Sequence, residues 1–301
     1  MRKLLVLLAA ALTFSVAAAS PAGGITYGEP DNGEHPYVGF MIFFVPSDPG
    51  WFSCSGTLLD PDTFLTAAHC TFDVGTNGAE TPGEATSGGN DVWITFDPTD
   101  TLGGWPARAD FPDEASLYAA RSAWLNDPAH GFTKGIAIHH PDYDDFASFP
   151  LTNDVGVVEL DEDVVMVNYG DLAPVGAVDL LAGATGRGRN APTVETVGYG
   201  TQAVHPNPQS IDDRFKSTSR IIEVNGNQST GGNLHTSNNP STTGGKGGSC
   251  FGDSGGPVFI NNTDDVLAVV SYGPNVTCHG VDYSWRVDTE SAQEFITSFL
   301  S

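Results

Sequence analysis

The stretch Cys250-Phe-Gly-Asp-Ser-Gly-Gly-Pro257 constrains this chain more than any other. Ser254 follows an acid, precedes two glycines, and is held in a segment that a proline closes. Glycines permit a tight turn in which neighbouring backbone N–H groups converge on one point. In such a turn the Ser254 hydroxyl can attack an electrophile while the N–H groups of Gly252 and Ser254 hold the oxygen that gains negative charge. A serine hydroxyl is a weak nucleophile until a base takes its proton, and the base needs an acid to orient it. Leu65-Thr-Ala-Ala-His-Cys70 offers the base, His69, in a small-residue turn after an apolar run. Asn153-Asp-Val-Gly-Val-Val-Glu-Leu160 offers the acid, Asp154, at the head of a β-branched strand. A fold that uses all three must bring positions 69, 154 and 254 to one point.

In this order and with these contexts, the three segments resemble the TAAHC, (N)D-I-A-L-L and GDSGGP signatures of the chymotrypsin/trypsin-like serine proteases. The resemblance runs from about residue 25 to the C-terminus, interrupted by one long acidic insertion. It implies an all-β fold of two six-stranded antiparallel Greek-key barrels, with the active site between them and a helix at the C-terminus. The same likeness gives Ser254 the role of nucleophile, His69 that of general base and then acid, and Asp154 that of fixing the histidine tautomer. Gly252 and Ser254 become the oxyanion hole, and Ser271 of Ser271-Tyr-Gly273 a hydrogen-bond support for Asp154. Four cysteines allow three pairings; the family pattern favours Cys54–Cys70 beside the base and Cys250–Cys278 across the substrate pocket. A secreted serine endopeptidase acting through an acyl-enzyme follows, with polypeptide substrates, protein inhibitors as possible partners and no cofactor.

The N-terminus reads as a secretory leader: Arg2-Lys3, an apolar run from Leu4 to Val16, then small residues Ala17 to Ser20. The leader is expected to span residues 1–19, with a cut as late as residue 24 equally compatible with the small-residue rule. The apolar run is too short for a membrane span. The chain carries a net charge of −25, becoming about −27 once Arg2 and Lys3 leave. Such an excess of acid repels nucleic acid and anionic lipid, so neither is an expected partner. The chain is expected to be a monomer. Gly24-Ile-Thr-Tyr-Gly resembles a weakened form of the family's mature N-terminus, whose freed isoleucine ammonium pairs with the acid before the nucleophile. That assigns Ile25 and Asp253 as an activation pair. No Arg or Lys precedes Ile25, so leader removal or trimming is expected to expose it.

Short apolar and β-branched runs with Gly, Pro and Asp turns read as barrel strands, among them Pro36–Val45, Cys54–Leu59, Thr63–Thr66 and Val266–Gly273. The first barrel is expected over 25–165 and the second over 166–301. Residues 72–135 form the insertion, with a strand at Val92–Phe96 and a short helix over Glu114–Leu125. Its acids Asp91, Asp97, Asp100, Asp110, Asp113 and Glu114 lack EF-hand spacing and read as a solvated acidic loop. His139-His140 with Asp142, Asp144 and Asp145 is no metal site on this reading, because adjacent strand residues point to opposite faces. No CxxC or HExxH spacing occurs, so no zinc site is expected. Asp288 is placed as the cap of a final helix over Thr289–Leu300, which presents Phe295, Ile296, Phe299 and Leu300 on one face.

The specificity pocket is expected between Gly248-Ser249 and Gly273, with Ser271 nearby. Trypsin-like members that cut after Arg or Lys carry an acid six residues before the nucleophile, where this chain has Gly248. A buried cation without a countercharge is costly, so aromatic or apolar side chains are the expected substrates. The segment His279–Trp285 is the other part of the chain able to reach this pocket. Two other classes share these residues. A zymogen-locked or pseudoprotease-type binding protein would keep the fold, but every triad residue is present. A Gly-x-Ser-x-Gly esterase would run Ser-acid-His along the chain, whereas this one runs His-Asp-Ser.

Overall fold

The computed structural model describes residues 25–75, 91–99, 101–183, 191–202, 213–224, 232–239 and 247–301. The expected leader and Asp100 lie outside them. Strand β1 (Glu29–Pro30) precedes a first barrel of β2 (Val38–Val45), β3 (Gly50–Leu58), β4 (Thr63–Thr66), β5 (Asp91–Thr95), β6 (Thr133–His139) and β7 (Gly156–Leu160). These close in the order β2-β3-β4-β7-β6-β5, each pairing antiparallel. A link carrying β8 (Asp171–Leu172) leads to β9 (Thr193–Gly198), β10 (Phe215–Glu223), β11 (Asn233–Asn238), β12 (Pro257–Ile260), β13 (Asp265–Tyr272) and β14 (Gly280–Arg286). This second set closes as β9-β10-β11-β14-β13-β12, again antiparallel throughout. The fold is therefore the all-β pair of six-stranded barrels that the sequence implies.

Large apolar side chains are buried on both faces of these strands, with β2 buried from Val38 to Phe43 and β4 throughout. Phe40, Met41, Leu58, Phe64, Leu65 and Ile94 are fully buried, and their cluster runs on into the second barrel through Tyr199, Phe259 and Trp285. Each such side chain contributes roughly 1.5–3 kcal/mol by leaving water. Val194, Ile221, Leu234, Val258 and Leu267 form a separate cluster in the second barrel. Between Val270 and Tyr272 the pairing of β13 with β14 shifts register, and this irregularity lies at the cleft.

Part of the insertion is integral to the first barrel, since β5 lies between β2 and β6. Helix α1 (Glu114–Leu125) begins where expected, its first turn capped by Asp113, which accepts from Ser116 N. Two of the insertion's acids pair locally: Glu114 with Arg108 at 2.5 Å, and Asp91, buried at the start of β5 rather than solvated, with Lys134 at 3.3 Å. His139 packs on Phe72 while His140 packs on Phe295. A further helix, α2 (Ala177–Gly183), has no counterpart in the sequence analysis.

The terminal helix differs from expectation. Helix α3 spans Glu290–Thr297 and its cap is Thr289, whose side chain accepts from Ala292 N. Asp288 turns inward instead, accepting from Arg286 Nε at 2.8 Å and from Val178 N at 2.8 Å. A buried guanidinium outcompetes a helix N-terminus for that carboxylate because the ionic bond is the stronger one. Among the described residues no helix is long and apolar enough to cross a membrane.

Candidate active site

His69 sits on a single 3₁₀ turn, Ala68–Cys70, immediately after β4. The Cys54–Cys70 disulfide ties that turn to β3. Antiparallel pairing of β4 with β7 sets Thr66 opposite Gly156, which brings Asp154, two residues upstream of Gly156, beside the histidine. Asp154 is fully buried. Its Oδ1 accepts from His69 N at 2.9 Å and its Oδ2 faces His69 Nδ1 at 2.9 Å. Ser271 Oγ, at the end of β13, donates to the same Oδ2 at 2.5 Å. A carboxylate is acceptor-only, so Nδ1 carries the proton and Nε2 is left facing the cleft.

Electrostatics follow from this enclosure. Burial strongly disfavours the Asp154 carboxylate, but the His69 charge and the bonds from His69 and Ser271 together hold it below the ordinary range. For His69 burial again opposes the charged form, while the Asp154 charge, its hydrogen bond and the more distant Asp145 together push the imidazole upward.

Ser254 stands on the turn between β11 and β12. Gly252 takes a positive φ of 93° there, with Gly200 Cα only 3.0 Å from where its Cβ would sit, so a side chain is excluded on both counts. The Gly252 carbonyl accepts from Ser55 Oγ and the Ser254 carbonyl from Ser55 N. Asp253 N–H and Gly255 N–H give to Cys250 O and Val270 O. Among the described residues no carbonyl takes the N–H groups of Gly252 and Ser254. Ser254, His69 and Gly252 share the wall of a cavity of about 440 Å³ between the barrels. Ser254 Oγ makes no hydrogen bond to His69 in this arrangement.

Asp253 is buried beneath the nucleophile. Its oxygens accept from Gly200 N at 2.8 Å and Cys250 N at 2.9 Å. Burial raises its pKa to about 7 against the pull of those backbone bonds, and Asp282 adds to the rise. Ile25 is also buried, and with Gly24 attached its nitrogen is an amide rather than an ammonium. The next residue is bound to the same loop: Gly248 N donates to Thr26 O, and Thr26 Oγ1 donates to Gly248 O and Asn238 Oδ1.

A second cavity, about 240 Å³, opens beside Ser254 between Ser249-Cys250 and Tyr272-Gly273. Ser271 and the Cys250–Cys278 disulfide lie along it. Gly248 lies outside this lining, and a Cβ on it would stand 2.5 Å from Asn238 Cγ. The acid of this pocket comes from β14: Asp282, 6 % exposed, which the sequence analysis did not single out. Its place is fixed by the pairing of β14 with β11, which sets Asp282 opposite Thr236. The one signal in the sequence was the polar alternation Asp282, Ser284, Arg286 within an otherwise buried strand.

Two packed barrels, a histidine–carboxylate pair and a serine turn at their junction define a chymotrypsin-like hydrolase fold. A sequence-family model described as Trypsin matches residues 119–295, more than half of the chain, and the protein belongs to that family of serine endopeptidases. It is structurally similar to HL collagenase, with a TM-score of 0.59 and 16 % identity over 92 % of this chain and 96 % of the other. It is likewise similar to a protein named GrC, with a TM-score of 0.56 and 16 % identity over 90 % of this chain and 96 % of the other. At that identity these likenesses speak for the fold. No curated protein sequence matches the chain.

Proposed function

We propose that the protein is a secreted serine endopeptidase whose reaction is carried by Ser254, His69 and Asp154. The observation that carries this is the buried Asp154, receiving His69 Nδ1 and Ser271 Oγ while His69 and Ser254 share one cleft wall. Ser254 Oγ attacks the peptide carbonyl as His69 Nε2 takes its proton, and the negative oxygen is held by Gly252 N–H and Ser254 N–H. His69 then protonates the leaving amine, breaking the C–N bond and leaving an ester on Ser254. Water, deprotonated by His69, attacks that ester and restores the serine. The missing Ser254–His69 bond is compatible with this, because such contacts tighten when substrate fills the site.

Activation is part of the same reading. Asp253 has no cationic partner among the described residues, and Ile25 is buried beside the same loop. A cut before Ile25 creates the α-ammonium that neutralises Asp253 and fixes the oxyanion turn. The leader and the two disulfides support secretion, and the open cleft supports susceptibility to protein inhibitors; a monomer is part of the same reading. Intact mass after treatment with a fluorophosphonate probe tests the reading. One adduct, absent from Ser254→Ala, is expected; folded mature protein that takes no adduct refutes it. A stable, active form beginning at Ser20 refutes exposure of Ile25.

A further inference from the structure

We propose that Asp282 determines specificity in the pocket beside Ser254, and that the substrate side chain it selects is a cation, Lys or Arg. This rests on the endopeptidase reading and names its substrate class. The charge comes from β14 and not from position 248 in the loop before the nucleophile, where an acid was sought in the sequence. Asn238 fills the space that a side chain at position 248 would need, so no acid fits there. The same Asn238 donates to Asp282 Oδ1 at 3.0 Å and to Ser249 O at 2.7 Å. Ser249 N donates to Asp282 Oδ2 at 2.8 Å. Two donors, one on each oxygen, therefore fix the carboxyl, and Oδ1 reaches within 3.6 Å of where a Gly273 Cβ would stand. Each oxygen keeps a free lone pair.

The cavity suits the rest of such a side chain. Val270, Tyr272 and the Cys250–Cys278 bridge give apolar walls on which a methylene stem packs while its charged tip goes deeper. The groups facing Asp282 leave the charge uncompensated. Asp253 lies on the nucleophile loop and Tyr272 on β13. His279 at the rim is bonded to Tyr27 and Thr277. Among the described residues no Lys or Arg pairs with Asp282. A buried carboxylate without a counter-ion is costly to the free protein, and an entering ammonium or guanidinium supplies that counter-ion. Burial raises Asp282 to about 6 against the bonds from Asn238 and Ser249. Preference for cations is accordingly full above that pH and fades below it.

Benzamidinium, a flat cation, and benzamide, its neutral analogue, probe the pocket directly by calorimetry on the mature protein. Benzamidine is expected to bind at least about 10-fold more tightly than benzamide near pH 8, with the ratio falling towards one near pH 5. Peptide substrates differing only in the residue before the cut give the second readout. Asp282→Asn is expected to lower kcat/KM for Arg and Lys substrates by about 100-fold and for a Phe substrate by far less, with partial rescue by Asp282→Glu. Equal affinity for the two probes, or a uniform loss across all three substrates, overturns the assignment. The fluorophosphonate adduct on the same sample separates the two failures. Labelled enzyme without cation preference sinks the role of Asp282 alone. Unlabelled protein sinks the endopeptidase reading, and the calorimetric comparison still decides the pocket.

Discussion

His35 offers a quantitative test of what holds the two barrels together. It sits just before β2, 6 % exposed and stacked on Phe259 of β12. Nδ1 meets Asp31 Oδ1 at 2.5 Å and Nε2 meets Glu195 Oε1 of β9 at 3.4 Å. Asp31 also accepts from Arg214 Nε at 3.0 Å, and Arg214 reaches the carbonyls of Val38 and Phe96. Burial alone would lower the His35 pKa, but the bonds to Asp31 and Glu195 and their charges raise it from 6.5 to about 9. That difference corresponds to roughly 3 kcal/mol of stability. The folded pKa is the higher one, so the contribution is complete below the unfolded pKa and is lost as pH rises through about 9.

Asp31 reports the same pair from the other side. Burial would raise its pKa, yet the His35 bonds and the Arg214 charge bring it from 3.8 to about 2. Its share is present above 3.8 and is lost as pH falls towards 2. The two values describe one interaction and do not add. His35→Gln keeps a polar side chain of similar reach and removes the charge. Urea unfolding from about pH 5 to 10 should show the variant about 2–3 kcal/mol less stable at pH 6, converging on the parent above pH 9. A constant offset across the whole range would mean that packing on Phe259, and not the ion pairs, accounts for the loss, and would refute the reasoning.

Three further outcomes are expected of the catalytic cleft. Ser271→Ala removes the 2.5 Å bond to Asp154 and should lower kcat about 10-fold or more, the worth of a hydrogen bond to a charged group, with KM little changed. The acid limb of the kcat/KM profile should fall above the ordinary histidine value of 6.5, because Asp154 favours the His69 imidazolium and only the neutral ring accepts the serine proton; an acid limb below that value contradicts the geometry. Replacing Cys54 and Cys70 by serine opens a loop with a sequence separation of 16 and should cost about 3 kcal/mol in thermal or urea unfolding, with a fall in fluorophosphonate labelling as the His69 turn loses its tether.

The sequence made the catalytic edges of both barrels legible because those segments are unambiguous physically. Val38–Val45 and Val266–Tyr272 are apolar and β-branched or aromatic for most of their length, and His69, Asp154 and Ser254 each have a local context that only a few backbone geometries serve. Strands β10 and β11 were not legible for the opposite reason. Phe215–Glu223 buries Lys216 and Ser219; Lys216 pairs with Glu34 and Glu195, and Ser219 Oγ donates to Gly247 O. Polar residues satisfied by partners far along the chain give no hydrophobic period to read. Asp288 misled in a related way: alone it reads as a helix cap, and only the fold reveals Arg286 and Val178 as its partners.

Asp282 is the sharpest case, because the same physics hides it in the sequence and makes it functional in the structure. A strand residue's destination depends on register, and a shift of one position moves it to the other face. Pairing with β11, which sets Asp282 opposite Thr236, decides that register for β14, and nothing in Gly280–Arg286 itself announces it. Once the strand is placed, Asn238 excludes a side chain at 248 and steadies an acid at 282. The chain thus exchanges one source of pocket charge for another while both barrels keep their closure. Specificity here is a property of the β11–β14 contact, where Asn238 lies opposite Gly280, so substitutions at Asn238 should disturb cation selection as Asp282→Asn does, without touching Ser254, His69 or Asp154.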